Sequence, residues 1–430
     1  MSDIVIYGKG KTGLSLYRML NRQGRQAVFY DDTSGFDGEG CFDENTLVLL
    51  SPGVKPFAKG LIDAKKAGAT IMSELEYCFS CCAARCVSVT GTNGKTTVCE
   101  MIYRILREAG IACRLLGNGG RPFSSEVLDV EANETVVLES SSFQLNDAKF
   151  FAPYISVFTS LACDHLDYHA SYDEYVNAKA NNFLRQRKGF AIFNADDKNV
   201  VELSARCQCE KLYYSVSGGN GECFFDGDNV VLNVDGQISR SQCPALKGFV
   251  EHNRSNALAA ILTAYLLGVP ISVSARAIVD YRFLPHRIET VGKHCGVTFV
   301  DDSKATNVHA AVSALSNYTE PLALILGGSD KGERFDGIFE NISSNVMAVT
   351  ASGETASKIA ECGRRHGVDV AVFDDISQAC EYCYCAVKPK GGVVLMSNAC
   401  ASFDKFGGYA ERGDYFKQVV ERLIGDKKTD

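Results

Sequence analysis

Several features are missing from this 430-residue chain, and each absence excludes something. It has no basic excess: 44 Lys and Arg stand against 52 Asp and Glu, a formal net charge of −8. No basic stripe is present to meet a phosphate backbone, so a main role in binding nucleic acid is excluded. No apolar run approaches the roughly 20 residues that span a bilayer. The N-terminus lacks the basic-then-apolar pattern of a secretion signal, which predicts a cytoplasmic protein without membrane attachment. Repeats and low-complexity tracts are absent too.

Cysteine, by contrast, is abundant, with 18 residues. Two pairs have C-x-x-C spacing, Cys78 with Cys81 and Cys380 with Cys383. Both lie in helix-like stretches far apart in the chain, whereas structural zinc takes such pairs from tight turns of one compact module. They are read as small apolar residues of the core, reduced rather than bridged.

Strand and helix patterns alternate almost throughout, which predicts α/β architecture with mainly parallel sheets. Three blocks are expected: 1–84, 85–284 and 285–430. The first and last read as Rossmann-like domains. The middle one reads as a P-loop α/β domain with a small antiparallel sheet from "KLYYSV", "GECFFDG" and "NVVLNVDG". The helix in "EHNRSNALAAILTAYLLG" is expected to stop at Gly268, and "FLPHRIETV" reads as a connection.

Two glycine loops carry chemistry. "IVIYGKGKTG" places Gly8, Gly10 and Gly13 as G-x-G-x-x-G between a strand and a helix, with Asp31 and Asp32 ending the next strand. That pattern suits NAD. But the block is only about 85 residues, too short for both halves of a dinucleotide fold, and a nucleotide diphosphate with another attachment suits the loop as well. The second loop is the stronger signal. "CVSVTGTNGKTTVCEMIYRIL" delivers Gly91, Thr92, Asn93, Gly94, Lys95, Thr96 and Thr97 from a strand into a long helix. Backbone N–H groups and the helix dipole favour phosphate, Lys95 reaches β/γ oxygens, and Thr96 offers a hydroxyl for Mg²⁺. Glu139, Asp164, His165 and Asp167 follow strands of the same block, where ligands gather in such sheets.

Taken together these segments resemble the Mur ligase family of peptidoglycan synthesis, across essentially the whole chain. The residues are Thr90–Thr97, Asn118 in "GNGGRP", Glu139–Leu145, Asp164–Asp167, Lys179 in "YVNAKANNF" and Asn253 with Asn256 in "EHNRSNALAA". In the last block, "LPHRIE", "DDSKATNVHAAVSAL", "LILGGSDKG" and "ACASFDKFGGYAERGDYF" look like the D-glutamate-adding members. The resemblance implies an ATP-dependent amide ligase working through an acyl phosphate. Its substrates would be UDP-N-acetylmuramoyl-L-alanine, D-glutamate and ATP. Two Mg²⁺ ions and a carbamylated Lys179 are implied, with a monomer expected. Thr96, Glu139, His165 and Lys179 would hold metal. Asn253, Arg287 and Asp302 would join the second loop at ATP, Asp302 at the ribose hydroxyls, and Lys304 would meet phosphate. Thr306, Lys331, Ser402, Phe403 and Tyr409 would form the amino-acid end, with Lys331 facing a carboxylate. Asn118 and Ser141 would touch the sugar, and Lys11, Thr12, Asp32, Thr33, Ser51, Gly53 and Ser73 the UDP. Catalytic duty would fall on Lys95, His165, Lys179, Lys304 and Lys331. Other readings remain: a folylpolyglutamate-type ligase, a dehydrogenase that would leave the second loop idle, and a nucleotide-dependent binding protein.

Overall fold

Strands of two to seven residues, most of them apolar, build three sheets in the computed structural model, which describes residues 4–38, 40–219, 221–279, 281 and 284–426. The first sheet contains β1 (Ile4–Tyr7), β2 (Val28–Asp31), β3 (Gly35–Phe36), β4 (Leu47–Leu50) and β5 (Thr70–Ser73), in the order β3-β2-β1-β4-β5. All pairs are parallel except the short edge β3. The order reverses at β1, so a crevice opens beyond the ends of β1 and β4, where Gly8 and Ser51 lie.

The second sheet has β6 (Arg85–Thr90), β7 (Cys113–Gly117), β8 (Thr135–Glu139), β9 (Ile155–Phe158), β10 (Phe190–Asn194), β11 (Glu210–Ser215), β12 (Cys223–Asp226), β13 (Asn229–Val234) and β14 (Gln237–Gln242). Its order is β14-β13-β12-β11-β10-β9-β6-β8-β7. The antiparallel strands expected as a small separate sheet instead continue this one. β12 joins β11 in parallel, and the hairpins β12–β13–β14 extend the edge. β6 lies between β8 and β9, with Val89 beside Glu139 and Thr90 beside Phe158. The ends of these three strands therefore converge.

The third sheet has β15 (Glu289–His294), β16 (Val297–Asp301), β17 (Leu322–Gly327), β18 (Val346–Ser352), β19 (Val370–Val372) and β20 (Gly392–Met396), ordered β15-β16-β20-β17-β18-β19. β15 corrects the reading of "FLPHRIETV" as connection throughout: from Glu289 it pairs antiparallel with β16. The turn before it holds His286 and Ile288 at φ +66° and +45°, an uncommon conformation for side chains with a Cβ. The helix Glu251–Leu266 ends as expected, with Gly268 at φ +89°.

By contact, residues 1–162 and 168–281 form one compact unit, and 163–167 with 282–430 another. Cys78 is buried in an apolar cluster with Leu75 and Phe151, and Cys380 and Cys383 in one with Phe299 and Phe416, the core role expected of them. No helix among the described residues is long and apolar enough to cross a membrane.

Candidate active site

In the first unit, the loop after β6 is braced from several elements. Gly91 has φ +143°, and a Cβ there would lie 2.0 Å from Thr159 Oγ1. Gly94 has φ +87° and would meet Asn256 Oδ1 at 2.5 Å. Ser160 follows β9 and grips the loop: its Oγ accepts from Asn93 N–H at 2.9 Å, and its carbonyl accepts from Thr92 N–H at 2.8 Å. Asn253 and Asn256 lie one turn apart on the helix Glu251–Leu266, linked by an amide contact of 3.4 Å.

Lys95 Nζ folds back over the loop and donates to the carbonyls of Gly91 and Thr92, both at 2.8 Å. Lys179 Nζ reaches the same Gly91 carbonyl at 2.7 Å from the helix Tyr172–Ala180. Two ammonium groups thus share one acceptor, and Lys179 is only 2% exposed. Tyr175, one turn before Lys179, was missed by the sequence reading. Its ring lies 4.8 Å from Lys179 Nζ, and its hydroxyl meets Thr92 Oγ1 at 2.8 Å. The i, i+4 spacing of Tyr175 and Lys179 was the available signal. Glu139 ends β8 with a buried carboxylate, which accepts from Asn118 Nδ2 at 3.2 Å. Asn118 thus meets Glu139 as well as lining the cavity described next.

Lys11, Thr12, Asp32, Thr33, Ser51, Gly53 and Asn118 line one cavity of about 940 Å³ beyond β1 and β4. Lys55 and Phe57, on a loop with no periodic pattern, and Lys59, which opens the helix Lys59–Lys66, line it too and were not foreseen. Gly8 turns at φ +99°. Gly13 packs so closely that a Cβ would lie 1.9 Å from the Gly8 carbonyl oxygen, while Gly10 has nothing within 4 Å. Asp32 Oδ1 is engaged by the Tyr7 hydroxyl at 2.6 Å and Gly60 N–H at 2.9 Å. Ser73 and Ser141 are not part of this lining, and each caps a helix. Ser73 Oγ accepts from Glu76 N–H, and Ser141 forms a capping box with Gln144.

The second unit holds the rest. Asp164 accepts from Asn307 Nδ2 at 3.0 Å, and His165 stands beside it at φ +57°. Lys304 Nζ donates to the Tyr409 hydroxyl at 2.7 Å. Asp302 is buried, with Ser397 Oγ on one oxygen at 2.7 Å and Ile288 N–H on the other at 3.3 Å. Burial pushes its carboxyl up to about 7. Arg287 Nε is buried with no hydrogen-bond partner among the described residues. Ser402 is buried, Thr306 and Lys331 are half-buried, and Phe403 is 72% exposed. Arg412 is buried under five hydrogen bonds to Ser303, Gly327, Cys400 and Ala401, a clamp on the loop that carries Ser402. Two clusters have ligand-like spacing, His286/Glu289/Asp301 and Asp336/Cys362/His366, and their acids are engaged by cations or imidazole. His286 Nδ1 meets Asp301 at 2.7 Å, Glu289 meets Lys417 at 2.9 Å, and Arg365 reaches Asp336 at 3.4 Å.

A strand–loop–helix phosphate cradle beside a second glycine loop defines a class of nucleotide-using α/β proteins, and comparison with known proteins narrows it. Residues 89–264 match the Mur ligase middle domain, and 286–400 match the Mur ligase glutamate ligase domain. The chain belongs to the Mur ligase family. It is 32% identical over 446 residues to a UDP-N-acetylmuramoylalanine--D-glutamate ligase of Pelotomaculum thermopropionicum, covering 98% of this chain and 97% of the relative. A protein of the same description from Bacillus cereus is 37% identical over 391 residues, covering 88% and 84%. Among solved structures, a pseudomurein peptide ligase type C from Methanothermus fervidus matches with a TM-score of 0.62 at 16% identity, over 98% of this chain and 99% of that one. The UDP-N-acetylmuramate-alanine ligase MurC from Thermotoga maritima matches with 0.59 at 18%, over the same shares. These two likenesses establish the fold.

Proposed function

We propose that this chain joins D-glutamate to the alanyl carboxylate of UDP-N-acetylmuramoyl-L-alanine at the expense of ATP, a step of peptidoglycan precursor synthesis. The carrying observation is near-full-length relatedness at 30–37% identity to ligases of that description. The two separate glycine loops support it, one open on a large cavity and one braced for phosphate. The division of labour follows the sheets: 1–84 for the UDP end, 85–284 for ATP and 285–430 for the amino acid.

The chemistry is activation of a poor leaving group. The γ-phosphoryl group passes to the alanyl carboxylate, and the amine then displaces phosphate from the acyl carbon. The chain's task is to position and to neutralise charge. Lys95 is already held over the cradle, and Asn253, Arg287 and Asp302 are assigned to the nucleotide. Lys304 is assigned to phosphate. Thr306, Lys331, Ser402, Phe403 and Tyr409 are assigned to the amino acid.

We assign the hydroxyl of Thr96, the carboxylate of Glu139 and the imidazole of His165, each a donor type that Mg²⁺ accepts, to two Mg²⁺ ions, which would neutralise phosphate charge. An ammonium does not fit, having donors and no acceptor. Addition of CO₂ to the neutral Lys179 amine gives a carbamate with two oxygens, and this resolves the mismatch. Lys179→Ala is expected to be folded and nearly inactive, with acetate restoring part of the rate; full activity without acetate removes Lys179 from the scheme. The test of the reaction itself is phosphate release. It should require both the UDP-sugar and D-glutamate, and equal turnover with L-glutamate or L-lysine overturns the specificity.

A further inference from the structure

Glu333 is the most poorly satisfied acid among the described residues that the scheme above does not use. Both carboxylate oxygens are buried, and neither accepts a hydrogen bond from the described residues. It lies in the loop after β17, Gly328-Ser329-Asp330-Lys331-Gly332-Glu333-Arg334. The loop is folded by an Asx turn, in which Gly332 N–H donates to Asp330 Oδ1 at 2.8 Å with Gly332 at φ +80°. Buried Phe335 anchors its end. The charged and titratable groups around Glu333 are Asp164, Lys331, Asp330 and Lys358, with the thiols of Cys163 and Cys400 beyond. Lys358 is committed to Asp330 at 3.0 Å. Lys331 makes no hydrogen bond among the described residues.

A buried carboxylate without a donor is costly and calls for a cationic or donor partner. Two residues away in the same loop stands Lys331, the assigned counter-charge for a substrate carboxylate. An α-amino acid carries both a carboxylate and an ammonium, so one loop offers a cation for the first and an anion for the second. We propose that Glu333 receives the α-ammonium of the incoming amino acid and takes its proton before attack. This rests on the ligase reading above.

The step balances. The ammonium gives one proton to the Glu333 carboxylate and becomes a neutral amine. Its lone pair forms the C–N bond at the acyl carbon while the C–O bond to phosphate breaks. The second amine proton leaves with the phosphate as HPO₄²⁻, and Glu333 returns its proton to water. Burial first, and then the nearby charge of Asp164, push the Glu333 carboxyl up to about 8. A carboxylate so raised is a better base than an exposed one.

The experiment uses the full chain with UDP-N-acetylmuramoyl-L-alanine and ATP, and compares D-glutamate with hydroxylamine as acceptor. Hydroxylamine is a neutral nucleophile near pH 7 and needs no base to free its lone pair. In Glu333→Gln the ratio of amide to hydroxamate should fall about 100-fold, within the usual range for a general base. The KM for D-glutamate should rise more than that for ATP, the rate should keep climbing to higher pH than in the wild type, and Glu333→Asp should recover part of the ratio. A wild-type ratio and pH profile in Glu333→Gln overturns the proposal. Equal loss of both products in Glu333→Gln and Glu333→Asp also overturns it, since that marks a structural residue. Failure of the wild type to form any hydroxamate is a different result and removes the ligase reading itself.

Discussion

The loop Gly8–Gly13 lies open on its cavity, whereas the loop Thr90–Thr97 is packed from several elements. In the first, the lysines reach away from the turn: Lys9 to Ser34 and Asp37, Lys11 to the Gly120 carbonyl. In the second, Lys95 closes on its own loop, and Lys179 meets it at Gly91. Both follow a parallel strand, precede a helix and sit where the strand order reverses. The same backbone device therefore serves two demands. Holding a diphosphate asks for N–H groups and space. Transferring a phosphoryl group asks for charge fixed before the reaction, because a charge that must reorganise does less for the transition state.

The largest effect should come from removing that fixed charge. Lys95→Ala is expected to lower phosphate release by about 10²–10³-fold, as loss of a preorganised donor does, while equilibrium binding of the UDP-sugar stays within a few-fold. Isothermal titration with the UDP-sugar, beside a phosphate-release assay, checks both halves. If Lys95→Ala loses UDP-sugar binding in a folded protein, the two loops are not separate in function.

Next in size are the glycines. A methyl at Gly13 meets the backbone carbonyl of Gly8, which cannot move aside without breaking the turn. Gly13→Ala should cost about 1–3 kcal/mol of stability, the usual range for overpacking. Gly10→Ala faces open space and should fold like the wild type, weakening only UDP-sugar binding. Thermal melts of the two variants separate packing from ligand approach. Equal destabilisation would mean that the first loop is as tightly built as the second.

What could be read from the sequence was whatever is contiguous. The Thr90–Thr97 loop and Glu139 after its strand are local patterns, and the sheets brought them together as expected. The misses are non-local. The capping role of Ser73 and Ser141, which the sequence reading assigned to substrate, was not read: each stands where a helix begins and accepts from a first-turn N–H. β15 was unreadable because "ETVGKH" is polar on both faces and owes its pairing to β16. Lys55 and Glu333 sit on loops without period, where only tertiary placement says what a charge faces.

A smaller effect follows from Asp302. Its carboxyl is raised by burial to about 7 in the folded chain and titrates near 4 when unfolded. Between these values the native state binds more protons than the unfolded one, so this contribution is fully present below about pH 4 and is lost as pH rises through 7. Asp302→Asn, neutral at every pH, should flatten the dependence of the urea midpoint between pH 4 and 8. Glu333 contributes in the same direction, so Asp302→Asn with Glu333→Gln should be flatter still. An unchanged slope in the double variant would show that neither acid is raised.

The smallest effect concerns the first loop's neighbourhood and decides between two roles for one hydroxyl. Ser73 ends β5 and caps the helix Glu74–Cys81, with its Oγ 3.3 Å from Glu76 N–H. It is 3% exposed and outside the cavity lining. Loss of a cap costs about 0.5–2 kcal/mol, because a first-turn N–H is left without an acceptor in a place water does not reach. Ser73→Ala should therefore lower the melting temperature slightly and leave the KM for the UDP-sugar unchanged. Ser73→Thr should hold the melting temperature closer to the wild type, since its hydroxyl caps the same N–H without burying a charge. A raised KM at unaltered stability in Ser73→Ala would instead place this hydroxyl on the substrate, and would extend the open cavity past the end of β5.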